Sequence, residues 1–150
     1  MSIEQEVELI RLIPIFQRIQ PAMQKLLVFA SERLTYDAGQ PLVKVGDAAD
    51  AAYVIIVGTV EVSVDSPKGP LVISTSGANE IIGEIGIFGD VPRTATVTAS
   101  SRVEALKISK ELFINIIRQN PDAAIEVLRV LATRLANTTK QLTRTVAGTK

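Results

Sequence analysis

Apolar positions change period twice along this chain. Over residues 3–13, Ile3, Val7 and Ile10 recur at intervals of three and four, which puts them on one face of a helix, and Pro14 closes the run. A second helix is predicted to open at Pro21, a residue suited to the first helical position, and to bury Met23, Leu26, Leu27 and Ala30. From Arg33 to Ile108 the pattern becomes short β-rich runs, at 33–36, 41–44, 53–57, 59–65, 71–75, 94–99 and 103–108. Turn-forming groups separate them: Asp37 to Gly39, Gly46-Asp47, Gly58, Ser66 to Gly69, and Gly77 to Asn79.

The helical period returns after Ser109, which is placed to cap a helix whose apolar face is Leu112, Phe113, Ile116 and Ile117. Asn120-Pro121 stops it, and a long helix is predicted from Pro121 to about Thr145. On that helix Leu128, Leu131, Leu135, Thr138 and Leu142 alternate spacings of three and four. Such a stripe either packs on the strands or forms a two-stranded seam between protomers, giving a homodimer. Many short strands between helical ends predict a single α+β, mainly β domain. It would be a jelly-roll-like β-roll over 33–108, with N-terminal helices in 1–32 and a short helix plus a long lid helix in 109–146.

Composition narrows the chemistry. Hydrophobic residues are 47% of the 150 but aromatics only 4%, so the core is expected to be aliphatic. The 16 basic residues balance the 16 acidic ones, which argues against direct nucleic-acid binding. There is no Cys and no His, which removes disulfides, thiolate nucleophiles, histidine triads and His-ligated metals. No run reaches the ~20 apolar residues of a membrane span, and the acidic N-terminus lacks a signal-peptide pattern. A cytoplasmic location is expected.

The remaining chemistry gathers in Gly83-Glu84-Ile85-Gly86-Ile87-Phe88-Gly89-Asp90-Val91-Pro92-Arg93-Thr94-Ala95. Gly83 permits backbone conformations closed to other residues, and a helical turn beginning at Glu84 would direct free N–H groups at an anion. Gly86 would admit that anion close to the backbone, and Arg93 would meet two of its oxygens at once. Glu84 has no place in a purely basic anion site; it asks for a ligand that also carries a hydroxyl. The plainer reading of Glu84 and Arg93, nine residues apart, is a surface ion pair.

The stretch resembles the phosphate-binding cassette of cyclic-nucleotide-binding domains, here spanning 82–95. Tyr36 to Gly39, Val45 to Asp47 and Tyr53 to Val62 are similar to the family's strands and turns in the same order. The resemblance implies that Glu84 accepts the ribose 2′-hydroxyl and that Arg93 pairs with the cyclic phosphate. Backbone N–H groups around Ile85, Gly86 and Thr94 or Ala95 would complete the cradle, with Gly83 leading into it. Val62 and Ile73 match apolar positions that line the family's pocket, and also suit plain core. On the long helix, Thr138 and Thr139 match a pair of hydroxyls that contact adenine from the two protomers, with Arg134 or Asn137 as other candidates to face the base. The ligand implied is cAMP, or cGMP given the hydroxyl of Thr94. Ile82, Asn79 and Ser76 depart from the family's Phe, Gly and aliphatic residues.

The expected role is a sensor that switches, not an enzyme, with no cofactor, relaying binding through its C-terminal helices to an effector protein or domain. No helix-turn-helix follows in these 150 residues, so the expectation is a stand-alone module or the sensing part of a longer protein. The rival is a degenerate roll that serves as a protein-interaction scaffold without binding nucleotide.

Overall fold

The structure, a computed structural model, describes residues 2–148, apart from the side chains of Ile85, Gln141, Leu142 and 144–148. The Leu142 position of the proposed seam therefore lies outside the described side chains. Helix α1 (Ile3–Arg11) starts at a capping box in which Ser2 and Gln5 satisfy each other's backbone N–H. Pro14 opens a short α2 (Pro14–Gln17), and Pro21 opens α3 (Pro21–Ala30).

The buried stripe of α3 departs from expectation. It is Gln24, Leu27 and Val28, whereas Leu26 is 47% exposed, Ala30 is exposed and Met23 is half-buried. Gln24 can sit inside because its amide is satisfied: Nε2 donates to the Phe16 carbonyl at 3.0 Å, and Oε1 accepts from Arg11 Nε at 2.9 Å. Those bonds tie α3 to α1 and α2 and turn Leu26 outward.

Among the described residues, eight strands form two antiparallel four-stranded sheets. One holds β1 (Glu32–Tyr36), β8 (Val103–Ser109), β3 (Ala51–Val57) and β6 (Ile81–Ile82), in the order β1-β8-β3-β6. The other holds β2 (Pro41–Val43), β7 (Thr96–Ala99), β4 (Val60–Ser66) and β5 (Gly69–Ser76), in the order β2-β7-β4-β5. Strand β6 is too short for alternation to reveal.

Strand β3 serves two cores. Ala51, Tyr53 and Ile55 point between the sheets, beside Val60, Ile82 and Val97. Ala52, Val54 and Ile56 point to the helical side, where Ile10, Phe16, Leu27, Phe113 and Ile116 gather. Burial on both faces explains the unbroken apolar run of this strand. At the sheet edge the reverse holds. Leu71, Val72 and Ile73 of β5, the edge strand of its sheet, are 54%, 49% and 55% exposed.

Ser109 caps α5 (Lys110–Gln119), accepting from the Leu112 N–H at 3.2 Å. The long α6 (Pro121–Gly148) is anchored by buried Ala123 and Val127 and half-buried Leu131; every side chain from Ala132 to Lys140 is exposed. No helix among the described residues is long and apolar enough to cross a membrane.

Candidate functional site

Ile81 and Ile82 seat the chain in the sheet, and Gly83 then turns it with φ of 87° into α4 (Glu84–Gly89). That conformation favours glycine, and space demands it too. A Cβ on Gly83 would lie 2.6 Å from Arg93 Nη1 and 3.3 Å from the Ala51 carbonyl oxygen. A Cβ on Gly86 would lie 2.6 Å from that of Ala49. No side chain caps the start of α4, so its first N–H groups depend on other partners.

Arg93 and Glu84 are both buried, at 6% and 1% exposure, and no ion pair joins them among the described residues. The surface-pair reading therefore fails on both burial and partner. Arg93 is fixed from two sides. Its backbone N–H donates to the Asp47 carbonyl at 2.8 Å, and its carbonyl accepts from Gly46 at 2.9 Å. Its guanidinium donates to the carbonyls of Gly83, at 2.8 Å, and Ala51, while Nε is buried without a partner. A full positive charge is thus held by neutral dipoles, with one donor unspent. Burying charge this way is costly unless an anion joins it.

Glu84 has the complementary shortage. Its Oε1 accepts from Nη1 of Arg134 on α6, while its Oε2 is buried and unpartnered. One acidic oxygen grips the long helix and the other awaits a donor. The site therefore offers an orphan cationic donor and an orphan acceptor on adjoining elements, a pairing that suits an anion bearing a hydroxyl.

The family profile described as cyclic nucleotide-binding domain matches residues 33–120, more than half of the chain and the whole cassette. The chain belongs to the cyclic nucleotide-binding domain family. Among curated proteins, a CRP-like cAMP-activated global transcriptional regulator of Mycobacterium tuberculosis is 29% identical over 129 residues, covering 85% of this chain. A lysophospholipase of Neosartorya fischeri is 31% identical over 130 residues, covering 84% of this chain. The chain spans 58% of the regulator and 8% of the lysophospholipase. Among solved structures, the catabolite activator protein of Thermus thermophilus aligns with a TM-score of 0.77 at 26% identity, over 86% of this chain and 61% of that one. The sensor domain of the transcriptional regulator DNR from Pseudomonas aeruginosa shares the fold, with a TM-score of 0.83 at 22% identity over 92% and 93% of the two chains.

The other residues that the family pattern singles out are placed unevenly. Val62 is half-buried and packs against the cluster between the sheets. Ile73 is open to solvent on β5, so it is neither core nor a closed pocket wall in this structure. Thr94 is exposed and Ala95 half-buried directly after Arg93. Thr138 and Thr139 donate their hydroxyls to the carbonyls of Arg134 and Leu135, one turn back, and remain exposed, as does Asn137. Arg134, a candidate for the base, instead meets Glu84.

Between the sheets, burial pushes the Tyr53 phenol up to about 12; Tyr36 adds to the shift and the Arg93 guanidinium opposes it. Burial raises Tyr36 as well, helped by the charge of Glu32. Both phenols stay neutral donors at physiological pH.

Contacts also run outward from the cassette. Phe88 of α4 packs on Phe113 of α5 with ring centroids 5.4 Å apart, and Phe113 meets Phe16 edge-on at 6.0 Å. Asp90 closes α4 in a left-handed conformation and pairs with Lys110 at 3.1 Å. The sequence reading missed Asp47, Ala49 and Ala51 as parts of the cradle. Their contribution is a carbonyl, a small side chain and another carbonyl, none of which leaves a mark on residue type; only the Gly46-Asp47 turn was legible.

Proposed function

We propose that the chain is a sensor module that binds cAMP, with cGMP as the second ligand to test, and that it acts by switching and not by catalysis. The observation that carries this reading is the buried Arg93 charge, held by two backbone carbonyls with Nε unspent. Arg93 would take the cyclic phosphate with the N–H groups at the start of α4, while Glu84 Oε2 would take the ribose hydroxyl. The mycobacterial relative, described as cAMP-activated, supports the choice of base.

In this reading the ligand reaches the output through Glu84, which holds ribose on one oxygen and Arg134 of α6 on the other. Ligand can bias the position of α6 only by binding its arrangements with different affinity. The bare stripe of Leu128 and Leu135, 66% and 69% exposed, would form the seam of a homodimer or dock an effector. A cytoplasmic location follows from the ligand class.

Calorimetric titration of nucleotide-free protein with cAMP and cGMP tests the proposal, beside an Arg93→Ala variant checked for folding by circular dichroism. Micromolar or tighter binding that the variant loses supports it, and the preferred ligand names the base. Absence of heat and of thermal stabilisation at millimolar nucleotide would favour the scaffold reading, since a ligand that binds only the folded state must stabilise it.

A further inference from the structure

The cradle has a support outside the cassette, and it belongs to α5. Gly46, Asp47, Ala48 and Asp50 are all exposed, so burial does not set the path of this loop. Its hydrogen bonds do. Apart from the turn's own bonds to Lys44, the bonds that leave 46–50 among the described residues run to two places. Two join Arg93: the Gly46 N–H donates to its carbonyl, and its N–H donates to the Asp47 carbonyl. The third comes from Lys110, whose main-chain N–H donates to the Asp50 carbonyl at 2.8 Å.

Lys110 is the first residue of α5, where a helix N–H has no intrahelical partner. Ser109 Oγ takes the Leu112 N–H, and the Asp50 carbonyl takes that of Lys110. The next carbonyl along the chain, that of Ala51, accepts from the Arg93 guanidinium. The Asp50–Ala51 step thus stands between the start of α5 and the buried cation, with one carbonyl committed to each. The Lys110 side chain reaches the other half of the cradle. Its Nζ donates to Asp90 Oδ1 at 3.1 Å, and Asp90 closes α4 with its own N–H on the Gly86 carbonyl. The two contacts are unequal: Asp90 is 91% exposed, so its ion pair contributes little, whereas the N–H holds a loop that otherwise leans on Arg93 itself.

We propose that the main-chain N–H of Lys110 positions the anion cradle. By fixing the Asp50 carbonyl it keeps the Ala51 carbonyl on Arg93, and so keeps the guanidinium aimed at its ligand. The role rests on Arg93 being the anchor of the cyclic phosphate. Lys110 is a positioning residue and acts through Arg93. Linkage makes the relation reciprocal: an anion that fixes Arg93 also steadies the first turn of α5.

Proline at this position removes the one donor at little cost to the helix. It suits the first helical position, and Ser109, at φ −61° and ψ 151°, already has the extended backbone that a following proline demands. In calorimetric titration of the full chain with cAMP, Lys110→Pro should weaken binding about tenfold. Lys110→Met, which keeps the N–H and drops the amine, should stay within about twofold of wild type. In an Arg93→Lys background, titrated up to millimolar nucleotide, the effect of Lys110→Pro should shrink to less than about twofold, because the guanidinium it positions is gone. A merely structural role would give the same loss in both backgrounds.

A measurement on the wild-type protein depends on no variant folding. Bound cAMP should slow hydrogen exchange of the Lys110 amide at least about tenfold more than that of the Leu112 amide, which Ser109 caps in the same turn. Wild-type protein that does not bind cAMP would strike the sensor reading and this inference with it. Four results would overturn this inference alone: wild-type affinity kept in Lys110→Pro, an equal loss in both Arg93 backgrounds, the full loss reproduced by Lys110→Met, or equal slowing at the two amides.

Discussion

Breaking the Glu84–Arg134 contact in the ligand-free protein should be more damaging than breaking a surface ion pair. Glu84 is 1% exposed and Arg134 is 44% exposed, so the two ends of the contact respond differently. Arg134→Ala leaves a buried carboxylate with neither oxygen paired, whereas Glu84→Gln leaves a guanidinium that water can reach. A hydrogen bond to a charged group contributes about 1.5–3 kcal/mol, and the half-exposed arginine lowers the expected coupling to about 1–2 kcal/mol. Arg134→Ala alone should cost about 2 kcal/mol. At about 2.1 cal/mol/K per residue, unfolding entropy for a chain of this length makes that a fall in Tm of about 6 °C. Urea denaturation of the two single variants and the double variant gives the coupling directly. Additive effects within about 0.3 kcal/mol would show that Arg134 does not hold Glu84 in solution, and would remove the route by which α6 is proposed to sense ligand.

Other substitutions probe the cradle and the cores. Gly83→Ala forces a side chain into a left-handed backbone at about 1–2 kcal/mol and drives the guanidinium of Arg93 off its carbonyl; cAMP affinity should fall at least tenfold by calorimetry. Phe113→Ala, which removes the ring between Phe88 and Phe16, should destabilise by about 3–5 kcal/mol in denaturant titration. The Tyr53 phenol, at about 12 when folded against about 10 when unfolded, gives stability that is complete below pH 10 and is lost as pH rises towards 12. Tyr53→Phe should flatten that alkaline slope in pH-dependent thermal melts. Ile73→Ser should change stability by less than about 0.5 kcal/mol, since the side chain is exposed.

The helices and most strands were legible because their signals are local: Ser109 before an apolar face, proline at the helix starts, and turn residues between β-rich runs. Burial was less legible wherever a polar group competed for the inside. Gln24 displaced Leu26 through bonds to Phe16 and Arg11, which lie in other helices. Ile73 matches an apolar pocket position of the family and also suits plain core, but residue type does not reveal that β5 is the edge strand of its sheet. In the site, Glu84 and Arg93 stood out as charges among glycines. Their lack of a mutual ion pair and the arrival of Arg134, fifty residues beyond Glu84, depend on where α6 crosses the roll. No spacing within the cassette encodes that crossing.

The backbone clamp on Arg93 bears on how such a module can be recombined. Gly46, Asp47 and Ala51 hold the arginine through main-chain atoms, and Ala49 leaves the space beside Gly86. A chimera that transplants only residues 82–95 into another roll would draw its crossover through the middle of the cradle. The donor arginine would then meet a recipient loop with a different path and side chains too large for the glycine. Residues 46–51 and 82–95, although distant along the chain, form one exchangeable unit, and a specificity swap should move both.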